Sequence, residues 1–254
     1  MRVVITGAAS GIGRACAELL GPEHQMVLAD RDAAGLRTVA DAIGARAETV
    51  TVDLLEPECG DRIVTAALGH MHGIDAVISN AGIITAGALA DQTLADFDRV
   101  YAVNARAAWL LARAAHPCLK ASRGAFIATA SMSATQPTPG LGFYSSSKAA
   151  LLMLVRQLAV EWGPDGIRCN TVSPGPTYTP MTKAGYDDPD RRRQRESSIA
   201  LGKLGTAEDV ANVILFLISP VAGHITGIDV LVDGGMSNML MPASGGGTGQ
   251  KASA

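Results

Sequence analysis

Short apolar runs rich in β-branched residues alternate along the chain with longer segments in which apolar positions recur at helical spacing. The short runs predict strands at residues 3–6, 26–29, 48–52, 76–79, 125–130, 168–172 and 229–232. The longer segments predict helices at residues 11–20, 33–43, 60–69, 94–119, 143–162 and 207–218. Because strands that alternate with helices pair in parallel, we predict an α/β fold with a doubly wound parallel sheet and helices on both faces.

This topology also predicts where a ligand would bind. Right-handed crossovers bring the carboxyl ends of the strands to one edge of the sheet, and the ligand crevice lies there. Residues 176–204 contain no clear strand and are expected to form a lid or substrate loop. No change of composition marks a second domain, so we expect one domain at residues 1–237 and a flexible, glycine-rich extension at residues 238–254.

Composition and charge narrow the function classes. A length of 254 residues with 48% apolar residues allows one large domain with a substantial core. A net charge of −3 argues against a nucleic-acid partner, which usually requires a basic surface. We find no uncharged apolar stretch of about 18 residues and no signal sequence, so we expect a cytoplasmic protein without a membrane span.

The cysteines and histidines do not predict a metal site. The four cysteines are scattered without a Cys-x-x-Cys pair, which is typical of buried thiols in a reducing compartment. His70 and His72 form a His-x-His pair in a predicted loop, but two imidazoles without a carboxylate or thiol cluster are weak evidence for metal.

A glycine-rich turn joins the first predicted strand to the first predicted helix. Gly7 permits a backbone conformation that other residues avoid, Gly11 lets the main chain approach a pyrophosphate, and Gly13 allows close packing of helix against strand. Ser10 and Ile12 lie in the same turn, where the helix N-terminus offers free N–H groups and a partial positive charge. The position of the turn in an alternating chain predicts a dinucleotide-binding site.

Asp30 ends the second predicted strand and bears on which dinucleotide binds. A carboxylate there can accept hydrogen bonds from the adenosine ribose hydroxyls. It also repels a 2′-phosphate, because two unit charges ~4 Å apart at an effective dielectric of ~20 cost about 4 kcal/mol, roughly a thousandfold in affinity. Arg31 favours NADP instead, because a guanidinium can pair with the 2′-phosphate. Ser10, in the glycine turn, provides no second positive charge for that phosphate. The sequence predicts NAD, with NADP less favoured.

Two further strand ends are expected to contact the cofactor. Asp53 follows the third predicted strand and is placed to contact the adenine amino group, with Leu54 beside it. Asn80, Ala81 and Gly82 follow the fourth predicted strand, where small residues let the main chain run beside the cofactor. A plain strand-ending turn explains this tripeptide almost as well when it is considered alone.

Tyr144 and Lys148 are four residues apart, which places a phenol and an ammonium on one face of a predicted helix. Lowering a phenol pKa from about 10 to 7 requires roughly 4 kcal/mol. One ammonium ~4 Å away at an effective dielectric of ~20 supplies about that much, so Tyr144 could act as base in alcohol oxidation and as acid in ketone reduction. Alone, the pair is more typical of a solvated helix face. Ser131, which ends the fifth strand and can bond a substrate oxygen, favours an active site.

These motifs together resemble the short-chain dehydrogenase/reductase family over residues 2–235. The matching motifs are Thr6-Gly7-(three residues)-Gly11-Ile12-Gly13, Asn80-Ala81-Gly82, Asn104, Ser131, Tyr144-(three residues)-Lys148, Asn170 and Pro174-Gly175. One position departs, because Ser79 stands where the family often has a further asparagine, and we expect this position to be structural. The resemblance implies a Rossmann-like domain of about seven parallel strands, NAD(P)-dependent oxidoreductase activity and a homotetramer.

The same resemblance implies roles for single residues. Asn104, Ser131, Tyr144 and Lys148 would form a catalytic tetrad. Lys148 would also hold the nicotinamide ribose hydroxyls, and Asn104 would anchor a water that relays protons to Lys148. A second implied set, near the nicotinamide after the sixth strand, is Pro174, Gly175, Thr177 and Thr179. A proline-rich strand exit is the alternative explanation for the two threonines.

Three segments are expected to line the substrate pocket, at residues 83–87, 132–143 and 178–186. Their side chains are largely apolar, which suits an aliphatic, alicyclic or steroid-like secondary alcohol or ketone better than a phosphorylated sugar. The string at residues 177–181 is similar to that of some bacterial hydroxysteroid dehydrogenases. The charged run at residues 187–193 is more typical of a solvated, self-paired loop than of an anion site. Candidate substrate contacts are Met132, Phe143, Tyr178 and Met181, with Leu141 and Tyr186 beside them.

Three functions stay open on the sequence alone. The first is an NAD-dependent dehydrogenase of a small-molecule alcohol or its ketone. The second is an NADPH-dependent 3-ketoacyl reductase, against which Asp30 and the lack of a basic patch for an acidic carrier protein both argue. The third is a non-enzymatic NAD-binding sensor, which would need neither Ser131 nor Tyr144.

Overall fold

Seven parallel strands form one sheet in the computed structural model, which describes residues 1–240. Most of the predicted extension at residues 238–254 therefore lies outside the described residues. The strands β1 to β7 are Arg2–Thr6, Gln25–Asp30, Ala47–Thr51, Ala76–Ser79, Ala125–Thr129, Arg168–Pro174 and Asp229–Val232. Their spatial order is β3-β2-β1-β4-β5-β6-β7, with every pair parallel. The predicted doubly wound sheet is confirmed, and the order reverses between β1 and β4, where such sheets bind ligands.

Helices cover both faces of this sheet, and two short helices of the described chain lie in the segment between β6 and β7. From α1 to α9 they are Gly11–Leu20, Ala33–Ile43, Cys59–Met71, Leu94–Tyr101, Ala107–Ser122, Tyr144–Trp162, Lys183–Tyr186, Pro189–Glu196 and Ala207–Ile218. Successive strand residues point to opposite faces, so Val4 packs with α3, α5 and α6, while Val3 and Ile5 pack with α1, α2 and α9. Each helix layer thus has its own apolar core.

One predicted helix contains an irregularity that the sequence pattern did not reveal. Residues 94–119 were expected to form one regular helix, but a π-helical turn at Ala102–Arg106 separates α4 from α5, and α5 continues to Ser122. A π turn inserts an extra residue into the helical repeat and is frequent at functional sites. Here it carries Asn104, which is buried.

The lid, residues 176–204, contains no strand, as predicted, but it includes the two short helices α7 and α8, which the sequence pattern did not identify. The charged run at residues 187–193 is largely part of α8, because the Asp188 carboxylate caps the helix by accepting the N–H groups of Asp190 and Arg191. Pro189 occupies the first helical position, where its missing N–H costs nothing. Self-pairing is present, since Arg192 pairs with Glu196 and Arg193 with Asp190.

Several of the large apolar side chains that are exposed lie on α5, α6 and β7. Trp109 on α5 and Met153 and Val160 on α6 are 42%, 59% and 79% exposed, and Leu231 on β7 is 41% exposed. Trp162, in contrast, is half-buried beside the ring of His116. Exposed apolar patches are typical of subunit contacts, and the homotetramer stays a prediction. Within residues 1–240, no helix is both long and apolar enough to cross a membrane.

The contact between α3 and α5 provides a test of the packing. A Cβ at Gly60 would lie 2.5 Å from the carbonyl oxygen of Leu110, whereas a Cβ at Gly69 in the same helix would enter open space. We expect Gly60→Ala to lower the free energy of unfolding by about 1–3 kcal/mol through overpacking. The matched control Gly69→Ala should raise it by about 0.5–1 kcal/mol through helix propensity. Urea denaturation measures both, and effects of the same sign would contradict the close approach of the two helices.

Candidate active site

A cleft of about 930 Å³ opens at the carboxyl ends of the strands, where the topology places a ligand site. Its floor is formed by the residues that follow β1, β4 and β5. The lid covers one side, and the ends of β2 and β3 lie at the other. The cleft brings together nearly all of the predicted site residues, although they come from seven separate segments of the chain.

The glycine turn has the shape that a dinucleotide pyrophosphate requires. Gly7 and Gly11 have φ angles of +69° and +54°, which residues with a Cβ rarely adopt. A Cβ at Gly13 would collide with the carbonyl oxygen of Gly7. The Ser10 side chain makes no capping hydrogen bond and the first turn of α1 holds no acidic residue, so the N–H groups at its start are free to bind an anion. These residues therefore fit the cofactor that the sequence predicts.

Asn80 ties three strands together beneath this turn. Its amide donates to the carbonyl oxygen of Thr6 at 3.2 Å, and its side-chain oxygen accepts from the Thr129 hydroxyl at 3.1 Å. The Thr6 hydroxyl in turn accepts the N–H groups of Asn80 and Ala81 at 3.1 and 3.3 Å. The tripeptide 80–82 is therefore more than a strand-ending turn, because it fixes the crevice between β1, β4 and β5.

The opposite end of the cleft carries the predicted adenosine contacts. Asp30 lines it, and its carboxylate accepts the N–H groups of Ala9 at 3.2 Å and Asp32 at 3.1 Å. These two hydrogen bonds hold the Asp30 carboxylate in place at the end of β2. The remaining predicted contacts that line this end are Arg31, Asp53 and Leu54.

Ser131 and Tyr144 face each other across the middle of the cleft. The Ser133 N–H donates to Ser131 Oγ at 3.1 Å, which leaves the Ser131 hydroxyl hydrogen available to the cleft. Tyr144 is the first residue of α6 and also lines the cleft. The sequence analysis did not identify Ser133, which stands two positions after Ser131, as a residue that orients it.

Lys148 is 2% exposed and lies one helical turn below Tyr144. Its Nζ donates to the carbonyl oxygen of Thr129 at 2.7 Å. Burial lowers the pKa of Lys148 to about 8, because the surrounding protein disfavours the charged form. A Cβ at Gly82 would lie only 3.2 Å from Nζ, so the glycine leaves room for the ammonium.

The pKa of Tyr144 differs from the sequence-based prediction. Burial raises the pKa of Tyr144, and the neighbouring Ser131 hydroxyl lowers it by less. Lys148 Nζ lies 5.8 Å from the centroid of the phenol ring. For a charge separation of ~4–6 Å and an effective dielectric of ~20, its attraction for a phenolate is about 3–4 kcal/mol, and it acts only while Lys148 keeps its proton. Without a cofactor, Tyr144 is therefore a protonated acid at neutral pH.

The Asn104 side chain is held by hydrogen bonds to the loop after β4 and to α6. Its side-chain oxygen accepts the N–H of Ile83 at 2.8 Å, and its amide donates to the carbonyl oxygen of Ile83 at 3.0 Å and to Ser147 Oγ at 2.9 Å. The Ser147 hydroxyl donates to the carbonyl oxygen of Tyr144 at 2.7 Å. Asn104 thus joins the loop after β4 to the start of α6, and the water relay stays a prediction. Ser147 was missed, because one serine in a run of three gives no sign of being buried.

The predicted nicotinamide contacts lie where β6 enters the lid. Pro174, Gly175, Thr177 and Thr179 all line the cleft. The Thr177 hydroxyl donates to the carbonyl oxygen of Gly175 at 3.0 Å, and Thr179 Oγ1 lies 3.2 Å from Thr182 Oγ1. Both hydroxyls thus have partners within residues 175–182, and their contact with a carboxamide stays a prediction.

Only part of the predicted substrate wall reaches the cleft. Met132, Leu141, Met181 and Tyr186 line it. Phe143 does not, because its ring packs edge-on against Phe97 with the centroids 5.1 Å apart.

Tyr178 also lies outside the cleft, contrary to the prediction. Its N–H donates to the carbonyl oxygen of Gly205 at 2.9 Å, and its hydroxyl donates to the Asp187 carboxylate at 2.8 Å, so the ring turns toward the outer side of the lid. The sequence could not separate Tyr178 from Tyr186, since both are aromatic residues of the lid.

Comparison with known proteins gives matches along nearly the whole chain. Residues 7–237 match a family model described as Enoyl-(Acyl carrier protein) reductase. The chain is 34% identical over 244 residues to L-rhamnose 1-dehydrogenase (NAD(P)(+)) of Azotobacter vinelandii, covering 92% of this chain and 95% of that protein. It is 34% identical over 242 residues to 3beta-hydroxysteroid dehydrogenase 1 of Eggerthella lenta, covering 92% and 93% of the two chains.

A solved structure also matches the chain over nearly its whole length. The crystal structure of 3-ketoacyl-(acyl-carrier-protein) reductase from Brucella melitensis, complexed with NADH, is 32% identical to this chain with a TM-score of 0.85. The match covers 92% of this chain and 97% of that chain.

The buried ammonium gives the fold a pH-dependent stability that can be measured. The pKa of Lys148 is lowered from 10.5 to about 8, so the unfolded chain binds more protons between these values and wild-type stability rises with pH in this window. Relative to Lys148→Met, the wild-type free energy of unfolding should rise by about 2 kcal/mol from pH 7 to 9.5. Chemical denaturation across this range measures the difference, with the exposed Lys203→Met as control for the change of side chain. A difference that does not change with pH would contradict the lowered pKa.

Proposed function

Because the chain belongs to the short-chain dehydrogenase/reductase family, NAD(P)-dependent oxidoreductases that act on CH–OH groups, we propose that it is an NAD-dependent dehydrogenase that interconverts a secondary alcohol and its ketone. One observation carries the proposal. Ser131, Tyr144 and the buried Lys148 meet in a single cleft beside the anion-binding glycine turn. A protein that only bound a dinucleotide would need neither the Ser131 hydroxyl nor the Tyr144 phenol in the cleft.

Each side chain of this group has a chemical task. Ser131 donates a hydrogen bond to the substrate oxygen, because its own oxygen is already held by the Ser133 N–H. Tyr144 gives a proton to that oxygen in ketone reduction and removes one in alcohol oxidation. When bound, the nicotinamide supplies or accepts the hydride. The Lys148 charge favours the phenolate that each proton transfer leaves or requires, and Thr129 fixes its position.

Asp30 supports NAD as the preferred cofactor. Its carboxylate stands at the end of β2 and is held by two backbone N–H groups, so it cannot easily turn away from a 2′-phosphate. Ser10 leaves the glycine turn without a cation, and Arg31 is the only cation among the cleft residues contributed by the ends of β1 and β2 in the described chain. Water and salt weaken the repulsion between Asp30 and a 2′-phosphate, because Asp30 is only half-buried.

The cleft supports a secondary alcohol with an apolar body. Ile84 from the loop after β4, Leu141 from the segment before α6 and Met181 from the lid all line the cleft. The relatives named above are described as acting on a sugar and on a hydroxysteroid, so family membership alone leaves the substrate class wide. The apolar wall favours an aliphatic, alicyclic or steroid-like substrate over a sugar.

A 3-ketoacyl reductase is the second candidate, and one observation favours it. The sequence suggested no basic patch for an acidic carrier protein, yet α8 brings four arginines together in the lid beside the cleft mouth. Asp30 does not decide between the candidates, since the Brucella melitensis 3-ketoacyl reductase was crystallised with NADH. Reduction of an acetoacetyl thioester, free or carried on acyl carrier protein, tests this candidate directly.

The proposal as a whole is tested with a substrate panel. Secondary alcohols, cyclic diols, hydroxysteroids and L-rhamnose would be offered with NAD and with NADP, and the absorbance of the reduced nicotinamide would be followed. We expect turnover of one or more secondary alcohols with NAD. Tight NAD binding without turnover of any alcohol, ketone or thioester would favour the sensor instead.

Tyr144→Phe tests the proton donor. The substitution removes the hydroxyl alone, so kcat should fall by about 10²–10⁴, the usual contribution of a general acid or base. NAD binding, measured by calorimetry, should be unchanged. Tyr178→Phe is the matched control, because that hydroxyl contacts Asp187 outside the cleft and its loss should leave kcat unchanged. Full activity of Tyr144→Phe would remove Tyr144 from the reaction.

Asp30→Asn tests the cofactor preference. The amide keeps a hydrogen-bond acceptor but loses the charge, so the ratio of kcat/KM with NADP to kcat/KM with NAD should rise tenfold or more, with about a thousandfold as the limit set by Coulomb's law. Asp32→Asn removes an equal charge two residues away at the cap of α2, outside the cleft, and should leave the ratio unchanged. A ratio that moves equally in both variants would contradict a specific role for Asp30.

A further inference from the structure

The lid end of the cleft carries positive charge that the proposed reaction does not use. Arg191 and Arg195 on α8 and Arg99 on α4 line the cleft, so two separate elements contribute guanidinium groups to it. The acidic residues that line the cleft in the described chain are Asp30 and Asp53, and both follow strands at the adenosine end. The adenosine end thus holds both carboxylates together with Arg31, whereas the lid residues that line the cleft in the described chain include arginines and no carboxylate.

The arrangement of charge on α8 explains why these arginines are available. Arg191 and Arg195 are four residues apart and share one face of the helix. Arg192 and Arg193 lie between them in sequence and form the ion pairs with Glu196 and Asp190. In the part of the chain that the structure describes, neither Arg191 nor Arg195 has an ion pair.

The other lid carboxylates have partners of their own. Asp187 pairs with Lys183 at 2.7 Å and accepts the Tyr178 hydroxyl at 2.8 Å. One carboxylate oxygen of Asp188 accepts the backbone N–H groups of Asp190 and Arg191, at 2.9 and 3.0 Å, and the Arg191 guanidinium is near enough to help lower the pKa of Asp188 without forming an ion pair. Arg99 stands near Asp96, whose carboxylate is held by the capping box of α4. Within residues 1–240, none of these three arginines therefore has an ion-pair partner.

A second cavity of about 470 Å³ continues from the lid end of the cleft. Gly185, Tyr186, Arg191 and Arg195 line both spaces, and Gln194 and Ser198 belong to the second cavity. No acidic residue lines it among residues 1–240. Arg195 is close enough to Tyr186 for its charge to oppose the effect of burial on the pKa of that phenol. An anion in this cavity would meet two guanidinium groups and a phenol.

We propose that Arg191 and Arg195 bind an anionic group at the far end of the substrate, so that the enzyme prefers secondary alcohols and ketones that carry a carboxylate. The inference rests on the proposed dehydrogenase function and specifies its substrate class. The substrate would have a carbinol or ketone at Tyr144, an apolar body along Ile84, Leu141 and Met181, and a carboxylate at α8. Arg99 on α4, which also lines the cleft, adds to the positive potential.

The test uses ketones that differ only in charge. Linear and cyclic oxo acids of increasing length would be reduced with NADH, each beside its methyl ester and its primary amide. At the length that spans the cleft, kcat/KM for the acid should exceed that for the ester by about 10–100-fold, the range expected for hydrogen bonds between ions. The preference should weaken as salt is added.

Paired variants assign the effect to one face of α8. In Arg191→Gln/Arg195→Gln, kcat/KM for the acid should fall to that for the ester, while ester reduction and the Kd for NADH stay unchanged. Arg192→Gln/Arg193→Gln makes the same change of charge on the arginines that have acidic partners, and it should keep the preference for the acid.

Several results would overturn the inference. Turnover of neutral ketones with no preference for the acid at any length would refute it and leave the dehydrogenase function intact. A weaker Kd for NADH in the Arg191/Arg195 variant would assign these arginines to the cofactor. If both double variants lost the preference for the acid equally, the total positive charge of α8 would be responsible. A docked acidic carrier protein would depend on α8 in that way. Turnover of no ketone, ester or acid would refute the dehydrogenase function and this inference together.

Discussion

The site depends on keeping an ammonium group charged inside the protein. Lys148 is buried under Tyr144, and burial alone would favour its neutral form. The carbonyl oxygen of Thr129 offsets part of that cost, and Gly82 leaves space for the group. Hydrogen bonds from neighbouring segments hold the elements around Lys148 in place. Asn80 bonds Thr129 from the side of β4, and the π turn before α5 brings Asn104 to the loop after β4 and to α6. Burial of the Lys148 ammonium lowers the free energy of unfolding, and a cost of this kind is common at active sites.

The sequence predicted the order of strands and helices because each burial pattern repeats over several residues. Alternation of apolar runs and helical periods was enough to identify the parallel sheet, and strand ends were enough to place Asp30, Asn80 and Ser131. It did not reveal the π turn at Ala102–Arg106, because one inserted residue leaves the apolar pattern of the flanking turns intact. It also missed α8, whose arginine-rich sequence carries no apolar stripe and which is defined by its cap at Asp188.

For the site residues too, the sequence predicted what depends on spacing within a segment and missed what depends on contacts between distant segments. Tyr144, Lys148 and the glycine turn follow from spacing within one segment. The contacts that tune them connect distant segments, as when Asn104 meets Ser147 or Lys148 meets Thr129. The raised pKa of Tyr144 could not be predicted from spacing, because it depends on how completely the cleft walls surround the phenol. Phe143 and Tyr178 were misplaced for a related reason, since an aromatic side chain near the site can face the cleft or its neighbours.

The central claim is that the charge of Lys148 sets the acidity of Tyr144 in the working enzyme. Four tyrosines are present, so the ring-carbon signals of tyrosine labelled with carbon-13 can be resolved and titrated by NMR in the NAD complex. If Lys148 acts as described, Tyr144 in the wild-type complex should ionise about two pH units below Tyr144 in the Lys148→Met complex, as expected for one charge at an effective dielectric of ~20. Equal pKa values of Tyr144 in the two complexes would contradict the account.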